Sequence, residues 1–461
     1  MATLLSLQGV VAKRSPEIYV RSSPATSLWL QQATQSGASR VEPHTDLEKT
    51  VSRFNSDLRG YIFYGPGNRG INEATSLAGI LGGLIVNEHT LGIATRAGLK
   101  QIESVRGRDE TWVWKNYSAR FNRHVTASLS PDITGALRDL LILQNSFVTY
   151  NSPAMDQYFR AQTPHSLVLG WGPSELDFFQ VTSRHSLQAL ATDYLLNGSA
   201  LSQWKVAVPP QKTQLRSPLA VEHNVHYVAF VMSDGDNPQW LTNGFVTEPH
   251  WWGSALRGKF AMNWDLSPGL IDLSPLTYRH LHNTANAGTN ADYFVTAHGV
   301  GTDYPSEVPA LGGALDKTVR YMRATDQKVL SILDNRWEPR VIDQILDRPE
   351  IAGVMYKFNG CCGYASRNGG VYFHKGKPAI AVKYSLWDGY NTPREVAAGL
   401  NRAPRAPQSD AGSYSVVNVH PWSVEPLQKT WDTVRALAPH VRVVTLEELV
   451  ARLRDNLGSR D

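Results

Sequence analysis

Ser233, Asp234, Gly235, Asp236 and Asn237 follow directly on the apolar, β-branched run His226 to Met232. A buried parallel strand that surfaces at its carboxyl end, where β/α folds place their chemistry, carries this pattern. Two carboxylates two positions apart repel unless a metal, a cation or a shared proton compensates them. Asp234 and Asp236 are therefore the first candidates for acid–base work, and with Asn237 they offer the hard oxygens that a divalent metal near Asp234 and Asp236 would take. The bland alternative is an Asx turn that opens the next helix.

The elements that would position these residues repeat down the chain as an apolar strand followed by a polar or aromatic tip. Tips follow at Asn263 to Pro268, His298 to Pro305, Asp334 to Glu338, Tyr356 to Asn359, Lys383 to Asp388, His420 to Trp422 and Thr445 to Glu448. This spacing predicts an α/β fold with a TIM-like or irregular seven- to eight-stranded β/α barrel over 219–461, preceded over 1–218 by two or three small α/β modules. Barrel strand ends converge, so the tips define one site. Its candidate catalytic carboxylates are Asp234, Asp236, Asp303, Asp334, Glu338 and Asp388. Its candidate recognition residues are Asn237, Trp240, Trp264, His298, Tyr304, Tyr356, Lys357, Lys383, Trp387, His420 and Trp422. Acids, aromatics and amides suit sugar hydroxyls and an oxocarbenium-like transition state, whereas phosphate chemistry would want more arginine.

Structural roles compete for several of these residues. His420 beside Pro421 can be a strand-end histidine satisfied by backbone, and Lys357 and Lys383 can form ion pairs with the tip acids. Asp265 before Leu-Ser-Pro reads as a helix cap, and Glu447 with Glu448 as the opening turn of the final helix.

In the first half, Leu7 to Val11, Glu17 to Val20, Gly60 to Tyr64 and Gly83 to Val86 read as strands, and Asn72 to Leu81 and Pro131 to Leu143 as helices. The stretch Gly65 to Gly70 lacks both the Lys-Ser/Thr ending of a phosphate loop and GxGxxG spacing, so a turn is expected there. Val206 to Val221, without periodicity, reads as a linker.

Composition narrows the function classes. The 461 residues include 45 basic and 41 acidic side chains with no basic run, which argues against a nucleic-acid partner. No apolar stretch reaches the ~18 residues a membrane span needs. The 13 Trp and 18 Tyr raise carbohydrate only modestly as a partner. Cys361 and Cys362 are adjacent and are expected not to bridge. No leader is visible at the amino terminus, so the chain reads as cytoplasmic, or as secreted or periplasmic if a leader was trimmed. Oligomeric state is not legible.

The segment Gly299-Val300-Gly301-Thr302-Asp303-Tyr304-Pro305 resembles the motif that names the GxGYxYP family, a group described as glycoside hydrolases. Leu7-Gln8-Gly9 with Ile18-Tyr19, Gly170-Trp171 with Glu175, Asp234-Gly235-Asp236-Asn237 with Trp240, Trp264 through Ser267-Pro268, Gly376-Lys377-Pro378 and Trp387 extend the resemblance over nearly the whole chain. It implies an amino-terminal region of small α/β modules, a carboxy-terminal barrel and a glycosidase activity. Thr302 stands where the family has its first tyrosine; it keeps a hydroxyl but cannot stack.

The leading expectation is thus hydrolysis of a glycosidic bond in an oligo- or polysaccharide, with two tip carboxylates as acid and nucleophile or base and no required cofactor. Asp234 and Asp236 are not straightforwardly the whole pair, since at a turn only one of them need enter the pocket. A second acid from Asp303, Asp334, Glu338 or Asp388 is therefore expected, roughly 5 Å away in a retaining site or 6.5 to 9.5 Å in an inverting one. One alternative is a metal-dependent carbohydrate deacetylase, although His280 and His282 are too close in sequence for its histidine pair. Another is a carbohydrate-binding protein without catalysis.

Overall fold

The computed structural model describes residues 1–37, 42–43, 46–212, 215 and 219–458 as a mixed α/β fold built on parallel sheets. The expected boundary at 218 lies outside the described residues. The chain forms two compact units: Met1–Val206 with Asn237–Asn243 and Ile271–Thr277, and Ala207–Asp236 with Gly244–Leu270 and Tyr278–Asp461.

The first unit holds a three-stranded and a four-stranded parallel sheet, with strands Gly60–Phe63 and Gly83–Val86 where the sequence predicts them. Leu7 to Val11, expected as a strand, lies instead in the helix Ala2–Ala12, all eleven residues of which are buried. A helix enclosed on every side keeps no polar stripe, so its period is invisible in the sequence. The expected helix from Pro131 begins only at Arg138. The downstream segment 237–243 completes this unit: the buried Trp29 indole donates to Thr242 O at 2.6 Å, and Tyr194 N donates to Gln239 Oε1 at 2.5 Å.

In the second unit the strands are β1 (His226–Met232), β2 (Met262–Leu266), β3 (Asp292–Ala297), β4 (Val329–Asp334), β5 (Gly353–Phe358), β6 (Val371–His374), β7 (Lys377–Ala381), β8 (Tyr384–Leu386), β9 (Tyr414–Val419) and β10 (Val441–Val443). They form one large curled sheet in the order β6-β7-β5-β4-β3-β2-β1-β9-β8, with β10 beside the start of β1. All pairs are parallel except the β6–β7 hairpin. The strands β7 and β8 lie towards opposite ends of that order, yet only Val382 and Lys383 separate them in sequence. Val382 N donates to Tyr356 O of β5, and Lys383 N donates to Val416 O of β9. Regular, even βα units are therefore not what forms: one strand is split between two neighbours, one hairpin is added, and β10 shares an edge of β1 with β2.

Side-chain alternation along the strands explains the near-continuous apolar runs, because both faces are covered. Tyr227, Ala229, Val231, Val295, Met355, Ile380 and Val416 form the inner core with Leu446, Leu449, Val450 and Leu453 of the helix Leu446–Leu457. On the other face Leu330, Ile332, Val354 and Tyr356 pack against the helices Leu311–Thr325 and Pro339–Leu346. As expected, Glu447 and Glu448 open the final helix, where Thr445 caps Glu448 N. The segment read as a linker is anchored in part: Gln211 Nε2 donates to Phe294 O and Asp326 O, each at 3.0 Å, and Gln211 Oε1 accepts from Phe294 N. Among the described residues no helix is long and apolar enough to cross a membrane.

Candidate active site

Inward positions that are apolar low in the curled sheet turn polar towards the carboxyl ends of its strands. Asp265 of β2 accepts from Lys357 of β5 at 2.5 Å and from Ser331 of β4 at 3.4 Å. The Asp265 and Lys357 side chains are 0% and 1% exposed. Burial pushes the Asp265 carboxyl up, against the pull of Lys357 and His298. Asn418 Nδ2 donates to Ser385 Oγ, while Asp265 Oδ1 and Asn418 Oδ1 are buried without a hydrogen-bond partner.

Above it, β1 ends in a turn that only glycine permits at its centre. Asp234 has φ +68°, and a Cβ on Gly235 would lie 1.6 Å from Asp265 O. Gly235 O in turn accepts from Ser267 N at 2.8 Å. The turn sets Asp234 and Asp236 in different surroundings. Ser233 Oγ donates to Asp234 Oδ2 at 2.5 Å, and Trp422 Nε1 approaches Oδ1 at 3.4 Å. Asp236 Oδ2 lies 3.1 Å from His298 Nδ1 and accepts from Thr302 Oγ1. His298 and Gly299, with φ of +53° and +110°, turn the loop after β3 back over the sheet. His298 Nδ1 faces the Asp236 carboxylate and the Thr302 hydroxyl, and Nε2 is buried without a hydrogen-bond partner.

These environments push the two carboxylates apart. Burial, then the charge of Asp236, raises Asp234. Burial acts to raise Asp236 too, but the charge and hydrogen bond of His298, together with Lys357 and Thr302, outweigh it and hold Asp236 well below the usual carboxylate range.

Aromatic residues follow the ends of β8 and β9. Trp387 stacks on His420 with ring centroids 3.6 Å apart and planes 5° apart, and Tyr364 and Tyr390 meet Trp387 edge-on. Trp422, 49% exposed, packs against Trp251. Asp388, one of the candidate acids, instead accepts from Val424 N and pairs with Lys429, which fixes the loop that carries Trp422.

Other sequence candidates are placed in other roles. Asp334 accepts from Ser306 N, Ser306 Oγ, Asn335 N and Arg336 N and so organises backbone. Glu338 sits at the N-cap of the helix Pro339–Leu346 with its side chain 43% exposed. Tyr356 packs outward edge-on to Trp337, and Trp264 donates to Asp292 within a cluster with Trp252. Lys383 is half-buried over the Tyr384 ring. Tyr304 is buried and accepts from Asn359, and Asp303 is buried beside it in sequence. In the first unit, Asn237 caps Trp240 N, the Asx role weighed above, and Trp240 is buried.

Asp265, read from sequence as a helix cap, is instead an ion-pair partner on the inner face. The period-two alternation of Met262–Leu266 was the signal that could have placed it inward. Cys361 and Cys362 also depart from expectation: they are joined by a disulfide, in a loop where Cys362, Gly363 and Tyr364 all take positive φ and so supply the tight backbone that adjacent cysteines need. Among the described residues no three His, Cys, Asp or Glu side chains gather as a group that could hold a metal ion.

Four family models match successive stretches of the chain: the GxGYxYP_N first domain over 1–56, its second domain over 58–121, the GxGYxYP third domain over 123–203 and the "GxGYxYP putative glycoside hydrolase C-terminal domain" over 224–454. The chain belongs to the GxGYxYP family. A crystal structure described as a "putative hydrolase" from Bacteroides thetaiotaomicron VPI-5482 is similar to this GxGYxYP protein at 26% identity and TM-score 0.89, over 99% of this chain and 92% of that one. Comparison with curated proteins returns no match. The family motif lies in the loop after β3, and its departure at Thr302 falls on a residue whose hydroxyl is spent on Asp236.

Proposed function

We propose that this protein is a glycoside hydrolase in which Asp234, protonated, donates to the leaving-group oxygen while Asp236, ionised, acts as nucleophile or as base towards water. The observation that supports this reading best is the opposite push on two carboxylates two residues apart. An acid pushed towards its neutral form beside one pushed towards its charged form divides the labour that glycosidic cleavage requires. His298 and Thr302 act as positioning residues for Asp236. The charge of Lys357, paired with Asp265, favours the ionised form of both acids and so adds to the pull that keeps Asp236 charged. The half-exposed Trp422 and Tyr390 offer faces on which sugar rings can pack. The family description and the hydrolase title of the structural neighbour agree with this class.

The test is product analysis of the purified protein and its Asp236→Asn variant on a broad panel of glycans, with and without chelator. New reducing ends from the wild type alone, unaffected by chelator, are expected. Acetate release that chelator abolishes would replace this reading with deacetylation.

A further inference from the structure

The four-stranded parallel sheet of the amino-terminal unit runs Val148–Thr149, Val125–Ser128, Leu167–Gly170, Gln188–Ala191 from edge to edge. From Val125–Ser128 the chain crosses first to one side and then to the other, which makes the carboxyl ends of Val125–Ser128 and Leu167–Gly170 a topological switch point. Open parallel sheets bind ligands in the crevice at such a point. Here the two strand ends touch so closely that a Cβ on Gly170, at φ +99°, would lie 1.9 Å from Ser128 O. Beyond them the loops part around a hollow of about 710 Å³, within the size range of ligand sites.

Its walls carry Tyr150, Trp171 and Tyr194, with Asp132 and Asp193, and no Lys or Arg is among the described residues that line it. The Trp171 ring is braced by Phe178 and Phe179 at 5.8 and 5.3 Å, while Tyr194 is 60% exposed. The Oδ1 atom of Asp193 is buried without a hydrogen-bond partner. The loop after Val125–Ser128 is fixed from below by the fully buried Arg138, which donates to Ile133 O, Asn72 Oδ1 and Thr75 Oγ1. Two flanking hollows of about 390 and 460 Å³ share Gly172 and Pro173, or Asp132 and Tyr150, with the central one, so the space continues on both sides.

We propose that this switch-point hollow is a second glycan-binding site, which takes a neutral sugar ring of an oligosaccharide against its aromatic wall with Asp132 and Asp193 accepting hydrogen bonds from the hydroxyls. Flat aromatic faces suit the C–H faces of a sugar, acids accept from its hydroxyls, and the absence of lining cations disfavours anionic ligands. The flanking hollows, lined in one case by Arg184 and in the other by Arg69, extend the space so that it suits a chain of sugars rather than one. The proposal rests on carbohydrate as the ligand class, but not on the catalytic roles of Asp234 and Asp236.

The experiment is calorimetric titration of the full chain carrying Asp234→Asn, a substitution expected to stop turnover if the proposed function holds, with cello-, xylo-, manno- and maltohexaose. Adding Tyr194→Ala or Asp193→Asn is expected to weaken binding of the preferred hexasaccharide about tenfold. In the otherwise wild-type protein, Tyr194→Ala should leave hydrolysis of a small aryl glycoside unchanged. Binding unmoved by both substitutions, no binding of any hexasaccharide, or binding of spermidine in their place would overturn the site. Binding lost in these variants while the wild type hydrolyses nothing would support the site and refute the hydrolase reading, so the two failures are separable.

Discussion

Lys357 and Asp265 meet inside the curled sheet at 2.5 Å, and neither side chain reaches water. A buried pair adds little when complete, but removing one partner strands a charge. Lys357→Met should therefore lower unfolding free energy by about 3–5 kcal/mol, read from denaturant unfolding. The double variant with Asp265→Leu should recover much of that loss, and no recovery would show that the pair does not act as a unit.

The pH–rate profile should be bell-shaped. Asp236, held low, is ionised across the neutral range, and Asp234, held high, loses its proton as pH rises; activity should fall on the alkaline side through the Asp234 ionisation. Thr302→Val removes a hydrogen bond to the charged form of Asp236, which raises its pKa and should move the acidic limb to higher pH. An unmoved acidic limb would remove Asp236 from the base role.

Three buried histidines, His226, His282 and His420, are each lowered by burial to about 4. Their unfolded value is about 6.5, so between these values the unfolded chain binds more protons, and stability is lost as pH falls from about 6.5 towards 4. His420→Phe keeps a ring on Trp387 and removes one titrating group. Its stability should fall less steeply over that window in urea unfolding at several pH values.

Gly235 leaves no room for a side chain, because its Cβ would lie 1.6 Å from the Asp265 backbone oxygen. Gly235→Ala must displace β1 or β2 at their ends. It should cost stability by about 1–3 kcal/mol and turnover by far more, measured by thermal unfolding and steady-state kinetics. Normal kcat in a destabilised variant would separate the turn from the chemistry.

Trp422 is half-exposed, and packing of a sugar on its ring would help substrate and transition state alike. Trp422→Ala should thus raise KM about tenfold with little change in kcat. A large kcat loss at constant KM would instead tie the indole to Asp234.

How much of this was legible follows from what each residue answers to. The β1 tip was readable because an apolar run ending in Ser-Asp-Gly-Asp-Asn is a local pattern, whereas β2 runs on through Asn263, Trp264 and Asp265 and β5 through Tyr356 and Lys357, all read as tips. β8 lies inside the tip read at Lys383 to Asp388, and β6 was not read as a strand. The helix Ala2–Ala12 was not readable, since burial on every side erases amphipathic period. Asp265 looked like a cap because Ser and Pro follow it. Its partner Lys357 is distant in sequence, and only closure of the sheet brings them together. Asp334, Glu338 and Asp388 passed as catalytic for the converse reason: a tip acid that ties down backbone or pairs with Lys429 has the same local sequence as one facing a substrate. The vicinal Cys361–Cys362 bond depended on a loop of positive φ that composition does not announce.

Thr242 and Gln239, which hold Trp29 and Tyr194, come from a stretch that the chain reaches only after β1 is complete. The two units are interleaved rather than strung like beads. A single recombination crossover near residue 218 would exchange neither unit intact, and a protein ended there would lack the Thr242 oxygen that accepts from the Trp29 indole. Shuffling within this family should therefore proceed by exchange of surface loops or of whole chains, and a graft of the amino-terminal unit onto another scaffold must bring residues 237–243 with it.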